Sequence, residues 1–556
     1  MRRIILSAIL LLTSVFGWSQ DYVALGDSCF AAKKFTDAAK NYDLFLEKVE
    51  SRSNMIAYRA AKSWSLAGNQ EKALAAVKKY VANNYINNMV FFSDGLIKEE
   101  AFNPIKSSPE WKNILDAVIQ KETLVKKAGK VKLDSILSYQ ALLEEKDILK
   151  NIDFKNGTAE AIYQRIRKFN AFPEVKNDLI SFRFKITADL NTAFLVVLPK
   201  NYNPQDKYPL LFFLHGAVRM NTGFPDYADK RDTTGWNRFY TKYAAKNKVI
   251  MVYPMGNREY NWMTPDKGFF MVPSILTKIK RLFNIDDDKV FITGHSNGAT
   301  GSFSYAIKQP APFAGFYGFN TRPQVATGGT FLKNLLNRSF FNVSTDLDYY
   351  YPPDANDSLT KIMKALGADY QDHRYTDFPH WFPAFAESEP AHQLLFNDLI
   401  TRKRNPYKQI LNWECDDVKY GHCDWISITA LDTTLKPKAW HKPINFEIKK
   451  WVVAGKKDEY ISRDTCLKAF KYDKISGAIQ ANYKSNTFTI NTSALKSFSI
   501  YISPEMVDIS KNVKVFLNGK LIYNRKVGFE KTFIVKQFLD NIDRSALWVN
   551  HLDFTI

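Results

Sequence analysis

The run Lys289-Val290-Phe291-Ile292-Thr293-Gly294 leads directly into Gly294-His295-Ser296-Asn297-Gly298, and Ala299-Thr300-Gly301-Ser302 follows. A short continuous apolar run reads as a strand buried on both faces. The small residues after it read as a helix that packs closely on its neighbours. To turn from one to the other so sharply, Ser296 must sit in strained backbone, and glycine two positions to either side leaves the room. The helix that begins there points its positive end at the bend and favours negative charge beside the hydroxyl. This junction therefore calls for an α/β layer with Ser296 raised at the carboxyl edge of a sheet.

The surrounding pattern agrees. Ile180 to Ile186 alternates apolar and polar residues, and Ala193 to Leu198 follows. Pro209 to Leu214 is a second buried run, stopped by His215-Gly216, and Val249 to Tyr253 is a third, stopped by Pro254. Phe313 to Phe319, Ser339 to Val343 and Tyr370 to Tyr375 continue the strand series. Helical stretches fall between strands at Trp236 to Lys246 and Pro273 to Leu282, and after the last at Pro390 to Ile400. Such alternation predicts a mostly parallel sheet covered by helices on both faces over residues 179–405.

The flanks are of other kinds, so the chain of 556 residues is expected to be multi-domain. Arg2 and Arg3 precede an apolar run from Ile4 to Leu12, and small residues follow near Ser19, the form of a signal peptide over residues 1–19. Export to a periplasm or the medium, with no integral membrane segment, is the expectation. Residues 20–125 read as helical with a loose 35-residue repeat. Tyr22, Leu25, Gly26, Ala38 and Tyr42 form one unit; Gly68, Ala73 and Val77 form the next. This is similar to a tetratricopeptide repeat, where small alanines let paired helices approach, and it offers a surface for a protein partner. Residues 126–178 read as a helical connection or lid. Residues 410–556 read as a β-sandwich-like domain, with a hairpin at Asn518-Gly519 and a helical insert near 458–470. Cys415 and Cys423 are expected to pair as a disulfide, in preference to a metal site that would lack a fourth ligand.

The formal net charge is +20, but Lys and Arg are scattered and no nucleic-acid-binding motif accompanies them. No nucleic-acid partner is expected. Neither a phosphate-binding glycine loop, nor a dinucleotide fingerprint, nor a metal motif occurs, so no cofactor is expected either.

A serine hydroxyl needs a base to take its proton. Among eight histidines, His380 follows the last predicted strand and precedes a helix, whereas His373 lies within that strand and His392 within the helix. The acid is expected in the loop after Phe340 to Ser344, where Asp348 is preferred and Asp346 is the alternative. Backbone N–H groups of Ala217 and Asn297 would hold an oxyanion. Trp262 and Trp381 are candidates for a substrate-binding wall, and His215 reads as a support for its loop.

His215-Gly216, Asn284-Ile285-Asp286 before Lys289-Val290, the Gly294 to Gly298 pentapeptide and Pro379-His380-Trp381 together resemble secreted α/β-hydrolases of the polyhydroxybutyrate depolymerase and feruloyl esterase type. They are more distantly similar to prolyl oligopeptidase catalytic domains. The resemblance covers about residues 180–402. It implies a serine hydrolase that cleaves carboxylic esters, including those on polysaccharide. A peptidase of the prolyl oligopeptidase type and a non-catalytic scaffold on the same fold are the competing expectations.

Overall fold

A computed structural model describes residues 22–48, 54–83, 92–265, 268–455, 459–470 and 474–556. The expected signal peptide lies outside the described residues. The chain divides into two compact units, residues 1–135 and 136–556.

The first unit is helical: α1 (22–31), α2 (Phe35–Lys48), α3 (Asn54–Leu66), α4 (Gln70–Asn83), α5 (Phe92–Lys98) and the start of α6 (Pro109–Glu144). Ala38, Ala39, Ala60, Ala61 and Ala73 are all fully buried. Small side chains at those points let neighbouring helices close on one another. A Cβ on Gly26 would sit 2.5 Å from the Tyr42 ring, so that glycine makes room for the tyrosine.

The second unit is built around a mixed eight-stranded sheet. Its strands are β1 (Leu179–Lys185), β2 (Asn191–Val197), β3 (Tyr208–Leu214), β4 (Ile250–Pro254), β5 (Ile285–Gly294), β6 (Gly315–Phe319), β7 (Ser339–Leu347) and β8 (Tyr370–Pro379). The order is β1-β2-β4-β3-β5-β6-β7-β8. β1 with β2 and β2 with β4 are antiparallel, and the pairings from β4 through β3 to β8 are parallel. Alternate residues feed two cores. Leu210, Phe212, Ile292 and Phe316 face one cluster; Leu211, Phe213, Phe291 and Tyr317 face the other. α9 (Met271–Lys280), α10 (Asn297–Lys308) and α11 (Pro353–Leu366) supply the first face; α8 (Arg238–Lys246) and α12 (Glu389–Thr401) supply the second. α7 (Ala159–Lys168), with the end of α6, fills the expected connecting region. The core is thus of the α/β-hydrolase type.

The C-terminal region is β-rich. One sheet of four strands comprises β10 (His422–Cys423), β11 (Ile426–Leu431), β16 (Leu495–Ile502) and β19 (Asn550–Thr555). One of five comprises β9 (Ile410–Cys415), β14 (Gly477–Lys484), β15 (Thr487–Ser493), β17 (Asn512–Leu517) and β18 (Lys520–Lys526). α13 (Lys531–Asn541) precedes the last strand. Asn518 and Gly519 both have positive φ, 50° and 85°, as the hairpin requires. The helical insert expected near 458–470 is instead a strand. β12 (Glu447–Ala454) and β13 (Tyr460–Lys468) form a separate antiparallel ribbon. Ile461 and Leu467 are exposed there, so apolar spacing was a poor guide to the element. The expected disulfide is also absent: Cys415 and Cys423 are free thiols. Cys415 ends β9 and Cys423 lies in β10 of the other sheet, each within the apolar core. Burial pushes both thiols up, Cys415 to about 12.

Two polar devices fasten this region to the hydrolase core. Side-chain amides of Asn334 and Asn337 pair with the backbone of Glu414 and Asn412 at 2.6–3.2 Å, closing the free edge of β9 as a neighbouring strand would. Lys280, Arg404 and Arg544 meet Asp287, Asp288 and Asp543 in a buried cluster of three cations and three anions. Burial pushes the Asp543 carboxyl up, but Arg404 and Lys280 outweigh it and hold it well below the carboxylate range.

Truncating Asp543 leaves buried cations without their partner, so Asp543→Ala should lower the unfolding free energy by about 3–5 kcal/mol, read from urea denaturation. Its folded pKa is depressed. The stabilisation is therefore present above the unfolded value of about 4 and declines as pH falls below it. Acid titration of stability should show that decline in the native protein and less of it in the variant. At the strand-to-helix bend, a Cβ on Gly298 would lie 1.7 Å from the Leu214 carbonyl oxygen. Gly298→Ala should cost about 2–4 kcal/mol by the same measurement.

Candidate active site

β5 delivers Ser296 to the carboxyl edge of the sheet, and α10 starts on the next residue. Ser296 has φ 58° and ψ −120°, backbone that an L-residue adopts only under constraint. Its N–H donates to the Phe319 carbonyl at the end of β6, at 3.1 Å. A Cβ on Gly294 would meet backbone of Gly298 at 2.4 Å and of Leu214 at 2.6 Å. The two flanking glycines thus answer one demand: α10 rests directly on the end of β3.

The loop after β3 lies across the bend. A Cβ on Gly216 would stand 3.1 Å from the Ser296 Cβ. Ala217 has φ 52° and opens a short turn over Val218–Met220. His215 supports this loop. Its Nδ1–H donates to the Gly216 carbonyl at 2.7 Å, and Nε2 accepts from the Gly256 N–H at 3.0 Å. Burial lowers its pKa, and a ring held between an acceptor and a donor is fixed in one neutral tautomer. Asn297 is the first residue of α10, where backbone N–H groups lack partners within the helix.

His380 follows β8 and is buried. Its Nδ1 meets Asp348 Oδ2 at 2.8 Å. Asp348 is tightly held: Oδ2 also accepts from Asn320 Nδ2 at 3.0 Å, and Oδ1 accepts from the N–H groups of Tyr350 and Tyr351 at 2.9 Å each. Asp346 has no such contact with a histidine; one of its oxygens is buried without a partner. The geometry therefore pairs His380 with the preferred carboxylate. The bend reaches His380 as well, since His295 Nε2–H donates to the His380 carbonyl at 2.8 Å. Burial, and then the neighbouring His380, lower His295 to about 3, so it stays neutral.

Several aromatic residues at the site were not singled out in the sequence. The Tyr351 ring stands edge-on to His380 at 5.1 Å, and its hydroxyl accepts from Asn297 Nδ2 at 2.7 Å. Burial raises the pKa of that hydroxyl, against the opposing pull of the nearby Ser296, Thr300 and Asn297 side chains. Tyr350 lies 4.8 Å from His380, and Trp236 5.5 Å from His295. Trp381 is exposed and lies 5.1 Å from His380 and 5.8 Å from Trp236. The run Tyr349-Tyr350-Tyr351 beside Asp348 was the one available signal for this rim. Trp262 does not join it. Its indole is fully buried, against His215 at 4.8 Å and against Gly256 and Gly301, whose missing side chains leave the slot it fills. A separate cavity of about 340 Å³ is lined by residues including Phe331, Glu414, His441 and Phe470, and none of the candidate site residues reaches it.

Comparison with known proteins bears on this region. A family model named Esterase, described as "Putative esterase", matches residues 187–319, which include the β3 loop and the Ser296 bend. No curated protein matches the chain. Among solved structures, a thermostable esterase shares 23% identity over 41% of this chain and 64% of its own length, just under two thirds, with a TM-score of 0.33. An S-formylglutathione hydrolase from Staphylococcus aureus shares 16% identity over 40% of this chain and 98% of its own, with a TM-score of 0.31. A ferulic acid esterase shares 18% over 40% of this chain and 96% of its own, with a TM-score of 0.32. Residues 187–319 of the chain are thus similar to an esterase family, within an α/β-hydrolase-type core.

Proposed function

We propose that the protein is an exported serine hydrolase that cleaves carboxylic esters through an acyl-enzyme, with Ser296 as nucleophile, His380 as base and Asp348 as the acid that orients it. The observation that carries this reading is the buried Asp348–His380 hydrogen bond beside a serine held in strained backbone at the sheet edge. His380 takes the Ser296 proton as the hydroxyl attacks the ester carbonyl, and the buried carboxylate steadies the imidazolium that results. Negative charge that develops on the carbonyl oxygen is received by the backbone N–H groups of Asn297 and Ala217. His380 returns its proton to the departing alcohol. Water, deprotonated in turn by His380, then releases the acid.

The Esterase match over residues 187–319 supports ester over peptide substrates. The rim of Trp236, Trp381 and Tyr350 suits a substrate with a ring, an aromatic acyl group or a sugar alcohol on a polysaccharide. The N-terminal helices α1 to α5 are the part suited to a protein partner.

Ser296→Ala should abolish labelling by a fluorophosphonate probe and reduce turnover of 4-nitrophenyl acetate to background. Retained labelling would refute the nucleophile. Asp348→Asn should lower kcat by about a thousandfold or more, because it stabilises the wrong imidazole tautomer, whereas Asp346→Asn should stay within about threefold. Steady-state kinetics of the two variants decides between the carboxylates. A preference for aminoacyl nitroanilides over nitrophenyl esters would instead favour a peptidase.

A further inference from the structure

The β12–β13 ribbon belongs to the C-terminal part of the chain, yet it packs on α11 beside the loop that carries Asp348. Four contacts fix it there. Trp451 Nε1–H, on β12, donates to the Tyr349 carbonyl at 3.2 Å. The Lys449 backbone N–H donates to Asp354 Oδ2, in the first turn of α11, at 2.6 Å. Tyr460, at the start of β13, stacks on Tyr349 with ring centroids 5.9 Å apart and planes inclined by 30°. On the other side, the Arg322 guanidinium lies 6.0 Å from the centroid of the Trp451 ring.

These contacts bracket the groups that matter most. Between the Tyr349 carbonyl and Asp354 lie Tyr350 and Tyr351. Their N–H groups hold Asp348 Oδ1, and their rings flank His380. Tyr349 also accepts at its hydroxyl from Trp381 Nε1 at 3.2 Å, which ties the same loop to the residue after His380. Nothing in the eight-stranded sheet reproduces the Trp451 and Lys449 bonds; both donors come from outside it.

We propose that the β12–β13 ribbon is a clamp on the acid loop, and that Trp451 is a positioning residue for Asp348 and, through it, for His380. The proposal rests on the serine-hydrolase reading above. It gives the C-terminal region a part in catalysis: the ribbon holds residues 348–354 in the one conformation that presents the carboxylate to the imidazole. Displacements of an ångström at such a group reduce rates by about a hundredfold. Trp451 is only half-buried, so its removal bears more on the loop than on the fold.

The test is a double-mutant cycle on full-length protein with 4-nitrophenyl acetate. Trp451→Ala should lower kcat about 10- to 100-fold with KM within about threefold, and Trp451→Phe, which keeps the ring and loses the N–H, should fall between it and the native protein. In an Asp348→Asn background, where the carboxylate no longer orients the ring, Trp451→Ala should lower kcat by less than about threefold more. An equal loss in both backgrounds, or a change confined to KM, or native kcat in Trp451→Ala would overturn the clamp. Labelling of Ser296→Ala by the phosphonate would overturn the hydrolase reading instead, independently of the cycle.

Discussion

The contact between the Leu214 carbonyl at the end of β3 and Gly298 in the first turn of α10 is the constraint on which the site depends. No side-chain atom fits between them. Because helix and strand approach this closely, β5 must turn back within one residue, and that residue takes a left-handed φ. Strain of this kind persists only where the surroundings over-determine it. Here they do so with the Ser296 N–H bond to β6, the Gly216 loop above, and a helix of small residues behind. The hydroxyl is raised to the sheet edge as a consequence of packing, before any partner is considered.

The partners arrive by a different route. His380 and Asp348 stand on the ends of β8 and β7, and each is anchored by neighbours rather than by its own element. Asp348 accepts four hydrogen bonds, two from backbone N–H groups that follow it, one from Asn320 and one from His380. His295, inside the bend, binds the His380 carbonyl. The strained turn and His380 are thereby joined through a backbone carbonyl, so the geometry of one constrains the other.

Beyond the site, polar groups buried between regions make the second unit one body. Asn334 and Asn337 stand in for a missing strand along β9. The six-charge cluster around Asp543 joins α9, the start of β5, the segment after α12 and the segment after α13. Buried charges are tolerable when each has its counter-ion and remaining hydrogen bonds are met. Arg544 meets Asp287, the Asn284 side chain and the carbonyls of Phe169 and Ile285. From this same unit the β12–β13 ribbon reaches the loop after β7, where Trp451 Nε1–H donates to the Tyr349 carbonyl.

The amino-acid sequence alone determined the α/β core, the bend at Ser296, the hairpin at Asn518-Gly519 and the candidate base. These are written in local patterns: runs of apolar residues that a sheet buries on both faces, and glycines at positions where only a missing Cβ will do. The sequence favoured Asp348 over Asp346, two residues apart in one loop, but the bond that joins Asp348 to His380 was not legible there. Nor were the burial of Trp262, the separation of Cys415 from Cys423, the strand at 460–468, or the meeting of Trp451 with Tyr349. Each of those depends on which surfaces face one another after residues tens to hundreds apart have packed. Local periodicity reports the environment an element prefers, but not which distant element supplies it, and only the tertiary structure decided that.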